Sequence, residues 1–154
     1  MAKIRATRYS NATIQKQIDD VKDLIRESVK EDVIALALNI HGRLVDNAPE
    51  GTPVDTGWAS ANWWVSAGTA PTGNDGSKGD VASAQSKQSA GLADILTYEP
   101  SKGVIYITNN TPYINRLNNG WSQKSPAGFV DRAVQIEITR FTHSTNYRAI
   151  NRDN

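Results

Sequence analysis

The segment from residue 11 to residue 47 restricts the possible folds more than any other part of the chain. Ile14, Ile18, Val21, Ile25, Val29, Val33, Leu36, Ile40 and Leu44 recur at spacings of three and four, which places them along one side of a helix. Charged residues fill the intervals, several of them at i,i+4 with opposite sign. Ser10 or Asn11 can cap the start, and Ala48-Pro49 stops the run because a residue preceding proline avoids helical angles. Gly42 marks the last turns as the weakest. Unbroken, such a helix spans about 55 Å at 1.5 Å per residue. A single domain of 154 residues cannot cover that length. Either part of the stripe meets another chain or the helix breaks.

The remainder reads as short elements separated by strong turn signals. The turn cluster EGTPVDTG (50–57) leads to Trp63, Val65 and Ala67, which alternate with Trp64 and Ser66 as in a strand. Residues 68–80, GTAPTGNDGSKGD, hold no large apolar residue and are expected to form an exposed mobile loop. A helix is expected within 81–99, weakened by Gly91, with Leu92, Ile95 and Leu96 on one face. The β-branched and aromatic run VIYIT (104–108) predicts a buried strand that pairs with the tryptophan strand. Pro112 opens a short helix through Tyr113, Ile114 and Leu117, and Asn119-Gly120 turns the chain. A closing helix of three to four turns runs from Phe129 to Phe141, and the polar tail from His143 is expected to fray. The expected fold is α+β: a long N-terminal helix packed on a small antiparallel sheet, with further helices including a C-terminal one. One domain spans 1–154, with a basic arm (1–10), a flexible loop (68–80) and a polar tail (143–154).

Composition removes several classes of function. The chain has no cysteine, which excludes disulfides, thiolate metal sites and cysteine nucleophiles. Its formal net charge is +1, so bulk attraction to nucleic acid is weak. The charge is uneven along the chain, however. Lys3, Arg5 and Arg8 stand without an acid in the first ten residues, five acids face Lys78 and Lys87 across 48–94, and 95–154 is again basic. That polarity suits head-to-tail contact between copies. Neither a secretory signal nor an apolar run long enough for a membrane span is present, so a soluble intracellular protein is expected.

Chemistry finds little support. His41 and His143 are the only histidines, one inside the long helix and one near the terminus, and no HExxH, GxSxG or phosphate-loop pattern occurs. GNDGSKGD (73–80) is glycine-rich, but it lacks the Gly-Lys-Ser/Thr order and the closing glutamate of a calcium loop. Asp55 and Asp131 are carboxylates that nothing in the sequence brings together. A stacking platform on Trp63 and Trp64 would need interleaved basic residues, and 54–77 contains none. No catalysis, cofactor, metal, membrane or small-molecule substrate is expected.

Three segments together resemble a known family. TPVDTGWASANWWVS (52–66), IYITNNTPYINRLNNGWS (105–122) and QKSPAGFVDRAV (123–134) look like the neck or tail-completion (head–tail connector) proteins of tailed bacteriophages. They occur in the order that family shows. The resemblance implies a structural core of Pro53, Asp55, Gly57, Trp63, Tyr106, Asn109, Asn110, Pro112, Tyr113, Leu117, Gly120, Trp121, Pro126 and Gly128. The candidate subunit or partner contacts are Trp58, Arg116, Phe129 and Trp64, the last on the strand face opposite Trp63, where a helix or a neighbouring subunit must cover it. Trp58 stands where the family often has arginine, Asn118 where it often has glutamate, and Phe129 where methionine is frequent. The implied function is that of a virion protein in the head–tail neck, a homo-oligomeric ring of expected sixfold symmetry. Its implied partners are the adjacent head-connector and tail-terminator or tail-tube proteins, with light contact to DNA in the channel. The alternatives are a tail-terminator or head-closure ring subunit and, more remotely, a DNA-binding module.

Overall fold

The computed structural model describes residues 10–46 and 49–150, with side chains described as far as residue 144. The basic arm before Ser10, residue Ala48 of the expected stop and the last four residues of the tail lie outside the described residues.

Helix α1 (Asn11–Val45) is unbroken over 35 residues, about 52 Å at 1.5 Å per residue. Ser10 caps it, its Oγ accepting from the Thr13 amide at 3.2 Å. Only the C-terminal half is anchored: Ala37, His41 and Leu44 are buried, whereas Ile14, Ile18, Val21, Leu24, Ile25 and Val29 are all exposed. The turns around Gly42, expected as the weakest, are therefore the best held. Packing overrides local propensity there.

A short helix, α2 (Trp58–Ala61), follows and leads into β1 (Trp64–Ala67). Next come α3 (Ala82–Leu96), a 3₁₀ turn at Pro100–Lys102 and β2 (Ile105–Thr108). The two strands pair antiparallel, with Val65 opposite Ile107 and Ala67 opposite Ile105. This two-stranded sheet gives the α+β fold its only β layer among the described residues. α3 lies close across β1: a Cβ on Gly91 would fall 2.4 Å from the Val65 carbonyl oxygen. Gly91, read as a weak point in the helix, is the position that lets backbone approach backbone. Leu92 and Ile95 pack inward, but Leu96 is exposed and does not share their face.

One turn, α4 (Ile114–Arg116), continues as a wide turn through Leu117–Trp121, closed by Gly120 at φ 84°. The last element, α5 (Phe129–Ile150), has 22 residues. It runs well past Phe141, where three to four turns were expected to end, so residues 143–150 are helical. Leu44, Ala59, Trp63, Ile114, Phe129 and Ala133 form the larger core cluster. Ala37, Val65 and Ile95 form a second one, and Ile107 packs against both.

Candidate functional site

The three sequence blocks converge around the end of α1. Thr52, fully buried, donates its hydroxyl to the Leu44 carbonyl at 2.5 Å and accepts the Trp63 indole N–H at 2.7 Å. It thereby fixes the helix end to the tryptophan. Asn109 donates to the Ala59 carbonyl at 2.7 Å and accepts from the Thr111 amide and hydroxyl, which sets the exit from β2. Asn118 accepts the Val130 amide at 3.0 Å and so caps the start of α5. Gly128 donates to the Asn118 carbonyl at 2.6 Å. The asparagines hold this frame by satisfying backbone groups that the irregular turns leave open.

Between the blocks lies a cleft of about 310 Å³, lined by Pro53 to Ser60, Lys78, Tyr113, Leu117, Ser122 and Lys124. Trp58 forms part of its wall, its ring 5.5 Å from that of Tyr113 at 52°. Burial raises the Tyr113 phenol above its ordinary range. Lys124 donates to the Val54 carbonyl at 2.8 Å, joining the third block to the first.

The structure redistributes the roles expected of the aromatics. Trp63 is buried, as expected of the strand anchor, although it precedes β1 and does not lie in it. Trp64 and Phe129, expected as contacts, are also buried within the chain, at 6% and 0% exposure. Trp64 lies under Lys87, whose Nζ is 5.0 Å from its ring centroid. Conversely Trp121, expected in the core, is 74% exposed; the left-handed Gly120 swings it outward, and the Arg116 guanidinium lies 5.3 Å from its ring. Asp55, Asn110, Pro112, Gly120 and Pro126 are exposed as well. They shape turns and fill no core, whereas Pro53 is buried and Gly57, Tyr106, Asn109, Tyr113, Leu117 and Gly128 are half-buried. Trp58 is half-buried and donates its N–H to the Asp75 carbonyl at 2.7 Å. Of the expected contacts, Trp58 and Arg116 keep surface. Trp121 joins them.

The loop 68–80 is exposed over most of its length but pinned at Asp75. Asn62, 1% exposed, holds both the amide and the carbonyl of Asp75. Lys87, at 2.8 Å, is the first cause holding the Asp75 carboxyl below the usual carboxylate range, followed by the Gly76 amide and Ser83. A composition without large apolar residues gave no sign of this anchor, because backbone groups and one carboxylate supply it. Among the described residues, no group of three or more histidines, aspartates or glutamates is placed to hold a metal ion.

His41 is buried on α1, its Nε2 donating to the Trp63 carbonyl at 2.9 Å. Burial lowers its pKa from the ordinary value of 6.5, and the carbonyl partner opposes that shift. A histidine harder to protonate when folded contributes stability that is complete above its unfolded pKa. That stability is lost as pH falls through 6.5 toward the folded value. The denaturation midpoint is therefore expected to drop between pH 7 and pH 5. In His41→Gln, which keeps a donor for Trp63, this part of the slope should vanish; equal slopes in the two proteins would show that other groups set it. His143 is exposed on α5.

Comparison of the chain with known protein families, with curated proteins and with solved structures finds no match.

Proposed function

We propose that this chain is a structural protein of the head–tail neck of a tailed bacteriophage, of the tail-completion type. It assembles as a ring of identical copies between head connector and tail. The observation that carries this reading is the outer half of α1, an apolar stripe that is exposed among the described residues. Such a stripe is at the upper end of what a monomer exposes, and patches of that size often mark a binding site. Two further features support it: the three sequence blocks meet in one turn framework, and Trp121, Arg116 and the Trp58 cleft offer a second contact surface of different shape. A cyclic ring requires two unlike surfaces on each subunit. The neighbours in this reading are a head-connector protein and a tail-terminator or tail-tube protein, with light contact to the DNA passing between them. A tail-terminator or head-closure subunit would use the same surfaces at another level of the same axis.

Negative-stain imaging and mass measurement of the purified chain test the assembly step. Rings of uniform copy number, forming as concentration rises, are the expected result. A compact monomer at every concentration would remove self-assembly from the account.

A further inference from the structure

We infer that the outer half of α1 packs against the same helix of two neighbouring copies, all running in one direction. The Lys22–Arg26 edge of each helix meets the Leu24–Glu31 edge of the next. The inference rests on the ring reading for its closure and on α1 itself for everything else.

The first argument is position around the helix. At about 100° per residue, Ile14, Ile18, Val21 and Ile25 lie on the side of α1 that carries Arg43. Among the residues that reach the two cores, Ile34, Ala37 and Leu44 lie about 100–180° from Arg43, whereas Ile40, about 60° away, borders that side. α5 packs on the Arg43 side, through Glu137, along a groove that Asp32 and Ser144 also line. The exposed stripe continues this track toward the N-terminus. It is a helix-packing face that the described side chains of α5 cover at one end only.

The second argument is width. Leu24 is 71% exposed and Val29 53%, and they flank the central seam across an arc of about 140°. The a/d seam of a two-stranded coiled coil is narrower than this. One partner helix therefore leaves Leu24 or Val29 in water, whereas a neighbour on each side covers both. The exposed part of the stripe, Ile14 to Val33, is of the order of the largest apolar patch usual for a monomer, roughly 300–600 Å². Shared between two neighbours, it supplies each interface with less than half of the roughly 800 Å² per partner of a stable interface, and the surface of Trp121, Arg116 and the Trp58 cleft adds to it.

The third argument is charge. Lys22 and Arg26 border the stripe on one side, and Glu31 and Asp20 lie beyond Leu24 on the other. Helices running in the same direction set the basic edge of one against the acidic edge of the next. An antiparallel pair would face like edges together. Lys22 and Arg26 also reach Asp19 and Asp23 of their own helix at 3.4 and 3.2 Å, but exposed pairs of this kind hold little energy and exchange readily.

The absence of native cysteine makes the test clean. In the full chain, the double variant Leu24→Cys/Val29→Cys is oxidised and run on a denaturing gel, beside each single variant. The expected result is a ladder of covalent oligomers ending at the ring's copy number, with neither single variant forming one. Ile18→Glu/Ile25→Glu, exposed and so expected to keep its circular dichroism spectrum, should weaken self-association at least tenfold. A double-cysteine product that stops at dimer would overturn the inference in favour of a two-stranded pair. Rings that persist in the glutamate variant without a ladder would overturn it while leaving the ring reading intact. If the unaltered chain is a monomer but the glutamate variant no longer binds tail tubes, another protein covers the stripe, and the inference fails with self-assembly.

Discussion

Glu137→Ala is expected to destabilise the fold by about 3–5 kcal/mol, the usual consequence of leaving one member of a buried ion pair alone. Arg43 and Glu137 have side chains only 9% and 6% exposed, and their Nε and Oε1 atoms lie 2.5 Å apart. Hydrogen bonding to Glu137 is the first cause raising the Arg43 pKa above its ordinary value, ahead of Glu50. Removing the carboxylate leaves a shielded guanidinium whose other partner, Glu50 at 2.6 Å, is 66% exposed. The loss takes a large part of the 5–15 kcal/mol that holds a typical domain. Glu50→Ala should cost under about 1 kcal/mol, because water can replace an exposed partner. Urea unfolding followed by circular dichroism distinguishes the two. Equal midpoints for the two variants would mean that Glu137 is not what neutralises Arg43.

Phe129→Ala should cost a comparable 3–5 kcal/mol by opening a cavity in the larger core. Phe129 has no exposed surface and packs in the cluster of Leu44, Trp63, Ile114 and Ala133. It is also the first residue of α5, so the cavity would loosen the end that positions the helix against α1. Phe129→Met conserves most of the volume and should cost less than about 1.5 kcal/mol. The same unfolding measurement checks both. A small loss in the alanine variant would return Phe129 to the surface role that the resemblance implied.

These two residues also show where the sequence was readable and where it was not. The periodicity of α1 and the β-branched run of β2 are local signals, and both elements form where those signals lie, although β2 is half-buried rather than buried and Val104 stays outside it, exposed. The proline and glycine turns held for the same reason, each depending on its own backbone angles. Burial of Phe129, Trp64 and Glu137 is decided by elements far away in the chain. Glu137 meets Arg43 across 94 positions, and nothing in the neighbourhood of either residue announces the pairing. Trp64 lies on the strand face opposite Trp63, as alternation suggests, and of the two covers open to it there, a helix or a neighbouring subunit, α3 supplies the cover. Trp121 departs from its expected place. An aromatic inside a motif reads as core, but the left-handed Gly120 turns it to solvent. The polar sequence after His143 concealed further turns of helix, because few apolar residues mark a period there.

The central claim is that the chain completes a neck by binding the end of a tail. Tail tubes lacking a neck, incubated with the purified chain and imaged by negative stain, test it most directly. The account predicts a ring seated on one end of each tube, lost with Ile18→Glu/Ile25→Glu. Bare tube ends beside a monomeric chain, with empty heads equally unoccupied, would contradict it.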